Sequence, residues 1–174
     1  MISNYRADLL HREVQYFRQV WLWAIVLGVA GLAIYGLVEQ LILEGPFGSH
    51  PAPDVLVLII GIVFGLGLPI LFYRASLTME VTREDIQYRF FPFHVSTQKI
   101  PLAGVKTCEV VTYSPLRDYG GWGIRSGSKG KAYNVSGNRG VQLELSNGKR
   151  ILFGSQKPEK LAAAVVSAMK YVIR

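Results

Sequence analysis

Two stretches near the amino end carry no formal charge, Gln19 to Val38 and Val55 to Tyr73, of 20 and 19 residues. A helix rising about 1.5 Å per residue crosses the roughly 30 Å hydrocarbon core of a bilayer with that many. Leu, Ile, Val or Phe fill 14 positions of the second stretch, worth on the order of −6 kcal/mol on an insertion scale. The pattern predicts a cytoplasmic flank at 1–18, a first transmembrane helix at 19–43, an outer loop at 44–54 and a second transmembrane helix at 55–73. A cleaved signal peptide fits the first stretch poorly, because its apolar region is long, lacks a small-residue cleavage site and has a second span close behind.

From Ser76 the period changes to two: Leu77, Met79 and Val81 alternate with Thr78, Glu80 and Thr82, as in a half-buried strand. Further runs at Ile86–Phe91, Val95–Ile100, Lys106–Thr112, Trp122–Arg125, Val141–Leu145 and Arg150–Phe153 bring the expected strands to seven. Asn147-Gly148 between the last two predicts a tight hairpin with a primed turn. After Gly154, Pro158 and Glu159 mark a helix start, and Leu161, Val165, Met169 and Val172, with Ala162 and Val166 beside them, make one apolar stripe. Both apolar faces need a partner, so residues 74–174 predict one module: a small bent sheet or β-barrel plugged by its terminal helix.

Composition agrees with a membrane chain of about one domain: 174 residues, 50% of them hydrophobic and only 18% charged. The single Cys108 excludes an intrachain disulfide and a cysteine-based zinc site, and reads as a core thiol. The net charge of +7 is unevenly placed. Residues 39–54 hold Glu39, Glu44 and Asp54 with no Lys or Arg, whereas residues 74–174 carry a net +9. By the positive-inside rule both termini are cytoplasmic, the protein is multi-pass in the cell membrane, and the acidic loop faces outward. Tyr16, Phe17, Trp21, Trp23 and Tyr73 suit an aromatic belt at the cytoplasmic interface.

Ala24 and Gly28, and Gly61 and Gly65, are small residues four apart, read as packing of the two spans, with a homodimer face as the sharper alternative. Pro69 predicts a kink near the inner end of the second span. No charged residue interrupts either span, which argues against an ion path or proton relay.

The order of elements, the Ile100-Pro101-Leu102 step, the Asn147-Gly148 hairpin and the Ser155-to-Leu161 helix start together resemble bacterial pleckstrin-homology-like domains carried behind a two-helix membrane hairpin. The resemblance covers roughly residues 74–174 plus the hairpin as an architecture, in families that are mostly uncharacterised. It implies a membrane α-helical hairpin followed by a PH-like module, and it implies no catalytic residues. Phosphoinositide-binding members carry a basic motif in the first hairpin, where this chain has Arg83-Glu84-Asp85.

The longest irregular stretch, Tyr113 to Gly140, is rich in glycine and carries Arg117, Arg125, Lys129, Lys131 and Arg139 with Trp122. Glycine-rich turns with basic side chains can cradle an anion. The phosphate-loop pattern fails at Arg125 and Ala132, and the dinucleotide pattern fails at Ser126. The bland alternative is a solvated basic hairpin with Trp122 docked into the barrel. Asp118 reads as the loop partner of Arg117, and Asn134-Val135-Ser136 as a chance glycosylation sequon. His11, His50 and His94 fall on three separate segments, so no metal site is expected. Phe90-Phe91-Pro92-Phe93 reads as core packing of two phenylalanines in preference to insertion at the bilayer interface.

Only Arg74, Ala75 and Ser76 separate the second span from the first strand, a reach of about 10 Å, so the basic module stays beside an anionic leaflet. The leading expectation is a non-enzymatic integral membrane protein presenting an interaction or self-assembly domain at the cytoplasmic surface. The alternative is an anionic-lipid or anion sensor using the basic loop. The expected partners are the phospholipid bilayer and a second copy or another membrane protein. No nucleic acid, cofactor, metal or catalytic residue is expected.

Overall fold

The computed structural model describes residues 8–45, 48, 52–127 and 129–172. The chain divides into two compact units. The first is a helical hairpin, residues 17–75. The second joins the residues before it to those after it. His50 and much of the expected outer loop lie outside the described residues.

In the hairpin, α1 runs Val20–Leu41 and α2 runs Asp54–Arg74, 22 and 21 residues, both long and apolar enough to cross a membrane. Most of their large apolar side chains point outward and stay exposed; Leu32 is 63% accessible. The middle of α2, Gly61–Gly67, is wound as a π-helix. Pro69 follows it closely and has no N–H to give to the preceding turn, so the irregularity expected as a kink takes the form of widened turns. A Cβ added at Gly61 would collide with Leu37, and one at Gly65 would lie 2.8 Å from Ile34 Cγ1, so these glycines let α2 approach α1 closely. Ala24 and Gly28 do not share that role: both are exposed, and nothing lies within 4 Å of a Cβ added at Gly28. Across the open end, Gln40 Nε2 donates to Ala52 O at 2.6 Å and Asp54 Oδ1 at 2.8 Å.

Of the two forms expected for the second unit, a bent sheet or a barrel of about seven strands, the closed barrel is not formed. The unit's described residues hold nine strands in two sheets with no closed barrel. One sheet has the order β1-β2-β3-β4, with β1 His11–Tyr16, β2 Ser76–Val81, β3 Asp85–Phe91 and β4 Gln98–Pro101, all antiparallel. The amino-terminal flank is therefore an edge strand of this sheet: β1 pairs with β2, Tyr16 opposite Ser76, across the whole inserted hairpin. The other sheet has the order β5-β8-β9-β7-β6, with β5 Val105–Thr112, β6 Gly123–Gly127, β7 Gly130–Asn134, β8 Arg139–Leu145 and β9 Arg150–Gly154. A short helix, α3 Pro115–Tyr119, and the terminal α4, Pro158–Val172, complete the unit.

Alternation sets the core. Leu77, Met79 and Val81 of β2 and Ile86, Tyr88 and Phe90 of β3 are buried, and they share the core with Val141, Leu143 and Phe153 and with Leu161, Val165 and Ala168 of α4. Ala168 takes the place on the buried stripe expected for Val166, which is exposed; the Val172 side chain lies outside the described residues. Between β8 and β9, Leu145 N–H donates to Lys149 O and Gly148 N–H to Leu145 O, both at 2.8 Å. Among the described non-glycine residues only Glu44 has positive φ, so Asn147 cannot form the expected primed turn; the hairpin has a three-residue loop with Gly148 at φ +78°.

Candidate functional site

Three strands meet where the two sheets share an aromatic cluster. Tyr88 of β3 lies 4.7 Å from Tyr133 of β7 between ring centroids, and Tyr133 stacks on Phe153 of β9 at 5.5 Å. Above this cluster opens a depression of about 650 Å³ lined by Tyr88, Lys129, Gly130, Lys131, Tyr133, Gly148, Lys149, Arg150 and Ile151. Its charged lining is entirely cationic.

Backbone geometry brings the four cations together. β7 runs parallel to β9, with Lys131 opposite Ile151 and Tyr133 opposite Phe153. Gly130 begins β7 at φ +107°, and a Cβ there would collide with the Arg150 carbonyl. Glycine is thus required for Lys129 and Lys131 to flank Arg150. The three-residue β8–β9 loop then brings Lys149 and Arg150 to the same depression, Arg150 standing across from Glu144 on β8.

The floor is neutral. The Tyr88 and Tyr133 hydroxyls lie 3.3 Å apart, either able to donate. Burial raises both pKa values, most strongly that of Tyr88, so both stay protonated. The Lys131 ammonium sits 5.1 Å from the centre of the Tyr133 ring. His94, packed edge-on against both tyrosines, has its pKa lowered by burial and by Lys131, and its Nδ1 accepts the Phe90 N–H. Lys129 is partly compensated, its Nζ lying 3.1 Å from Asp118 Oδ2. Lys131, Lys149 and Arg150 make no ion pair among the described residues.

Of the basic residues picked out by sequence, only Lys129 and Lys131 line this depression. Arg117, largely exposed, leans on Asp118 at 3.8 Å. Arg125 Nε donates to the Trp122 carbonyl at 3.0 Å, while the Trp122 indole donates to Gly137 O at 3.2 Å. Arg139 pairs with Glu159 in the first turn of α4. The sequence pattern marks Arg150 only as the first residue of a strand and does not single out Lys149. The signal that would have found them is the Asn-Gly-Lys-Arg run itself, two adjacent cations presented by a turn.

A second depression of about 460 Å³ lies on the outer face of the five-stranded sheet and shares Lys129 and Arg150, but it also holds Glu109 and Glu144. Asp118 accepts the Ser114 N–H and faces Lys129 and Arg117, contacts that lower its pKa and make it a structural anion. Cys108 is half-buried, its thiol pushed up to about 11 by burial and by Glu109. Asn134 of the sequon is fully buried, its Oδ1 accepting the Gly123 N–H, which leaves no room for a glycan. Among the described residues no three His, Cys, Asp or Glu side chains converge.

No curated protein matches the sequence. The model of a family of unknown function, DUF6141, matches residues 3–172, nearly the whole length, and the chain belongs to that family.

Proposed function

We propose that this chain is an integral membrane protein whose β module, of the bacterial pleckstrin-homology-like kind, binds a phosphate-bearing anion between Lys131, Lys149 and Arg150, with Lys129 at the margin. The observation that carries the reading is the all-cationic lining of one depression over two neutral tyrosine hydroxyls. Guanidinium and ammonium donors with a hydroxyl beside them suit a phosphate, which offers several acceptor oxygens at once. The outward-facing apolar surface of α1 and α2 supports the membrane assignment, since in water that surface would oppose folding. The role is binding, not catalysis. An interaction or self-assembly module, the other expectation from sequence, has no side-chain cluster of comparable definition among the described residues.

The test uses the full chain in phosphatidylcholine nanodiscs. Inorganic phosphate titrated calorimetrically probes a free anion, and nanodiscs doped with phosphatidylglycerol probe a lipid headgroup through the gain in Tm. Lys131→Gln with Arg150→Gln removes two cations at about 1 kcal/mol each, and should weaken the active arm roughly 30-fold. Arg117→Gln should leave it unchanged. Equal binding by the double variant and the native chain, or no response in either arm, overturns the proposal.

A further inference from the structure

We infer that the turn between β3 and β4 is a second membrane contact, in which Phe91, Phe93 and Val95 seat in the interfacial layer of the bilayer. The inference rests on the reading that α1 and α2 span a membrane.

The tetrapeptide expected to bury two phenylalanines buries one. Phe90 is 1% exposed, whereas Phe93 is 65% and Val95 91% exposed, and Phe91 lies at the half-exposed margin. Strand register places the turn. Tyr16, Ser76 and Phe91 stand side by side at one end of the four-stranded sheet. At that same end the chain leaves β1 for α1 and returns from α2 to β2. Ala75 alone separates Arg74, the last residue of α2, from Ser76, a reach of at most about 7 Å. Three residues separate Tyr16 from Val20, a reach of about 14 Å. A sheet tethered twice at one end by such short links presents that end to the lipid headgroups.

The opposite end of the sheet differs in kind. Its β2–β3 turn is Thr82 to Asp85, where Asp85 accepts from Thr82 Oγ1 at 2.7 Å and Arg83 pairs with Asp8 at 3.7 Å. Apolar side chains are exposed at the tethered turn, and charges at the free turn. The apolar turn is also fixed in shape: His94 N–H donates to Phe90 O at 2.8 Å, Phe90 N–H to His94 Nδ1 at 3.2 Å and Arg89 Nε to His94 O at 3.3 Å. Little ordering is left to do on insertion. Arg89 lies over the Phe91 ring at 5.6 Å, a cation and an aromatic ring stacked as interfacial anchors are. Tethering makes the insertion intramolecular, so a small apolar wedge suffices.

The experiment places a fluorophore on single cysteines in the full chain, with Cys108→Ala as background, reconstituted in vesicles containing nitroxide lipids or facing an aqueous quencher. The sites are Phe93→Cys and Val95→Cys in the turn, Arg83→Cys at the opposite end and Leu32→Cys in α1. The turn labels should be quenched several-fold more by headgroup-level nitroxide, and several-fold less by the aqueous quencher, than the Arg83 label. If the Leu32 label is lipid-shielded while the turn labels behave like Arg83, the inference fails and the spanning hairpin stands. If the turn labels are shielded from water yet untouched by nitroxide lipid, a protein surface covers them and the lipid assignment fails. A water-exposed Leu32 label overturns both readings.

Discussion

The two units invert each other's apolar faces. In the helical hairpin the small residues Ala30, Gly36, Gly61 and Gly65 are buried at the helix contact, while Val20, Leu32 and Val55 face outward. In the β module Leu77, Met79 and Val81 are wholly buried, while Arg12, Lys99 and Arg150 face outward. Burial in water is driven by removing apolar area, whereas helix association in hydrocarbon is driven by close packing, which favours small residues at the contact. On the proposed membrane reading one chain obeys two solvents, and the inversion marks where each applies.

The contrast predicts unequal responses to the same kind of substitution. Phe90→Ala opens a cavity in the water-driven core and should cost about 3–5 kcal/mol, measured by denaturant unfolding of the full chain in detergent. Leu32→Ala, on the outward face of α1, should cost far less in the same assay; an equal cost would make the hairpin an ordinary buried core and end the comparison. Leu32→Lys sharpens it from the other side, lowering insertion of α1 by roughly 3 kcal/mol, measured by the fraction inserted into microsomes.

Gly130→Ala comes next. Its positive φ and the Arg150 carbonyl in its way predict a loss of roughly 1–3 kcal/mol. The same variant should loosen phosphate binding by pushing β7 from β9, measured as parallel changes in Tm and in the calorimetric titration. The smallest effect is spectroscopic. Burial raises the pKa of Tyr88, Tyr113, Tyr119 and Tyr133, the Tyr113 rise opposed by Asn134 and the Tyr119 rise aided by Asp118. An acid whose folded pKa is raised contributes stability below its ordinary value of about 10, and that contribution is lost as pH rises through the folded values. Absorbance at 295 nm should therefore show these four ionising late, and Tyr88→Phe should remove part of the late phase.

Sequence alone was enough wherever a pattern is local. Charge-free length marked both helices, alternation marked β2 and β3, and helical spacing with Pro158 marked α4, because each signal repeats within a few residues. Strand β1 escaped because its pattern is inverted. The side chains turned inward are His11, Glu13 and Gln15, and those turned outward include Val14 and Tyr16. Glu13 accepts from Ser155 Oγ at 2.6 Å and Gln156 N–H at 2.8 Å, and Gln15 donates to Gly154 O at 2.7 Å, so that face is polar in order to clasp the start of α4. Only tertiary structure could decide this, since the partners lie about 140 residues away. The candidate site followed the same rule. Lys129 and Lys131 stood out within one loop, but Lys149 and Arg150 joined them only through the parallel pairing of β7 with β9, a long-range contact that leaves no local trace.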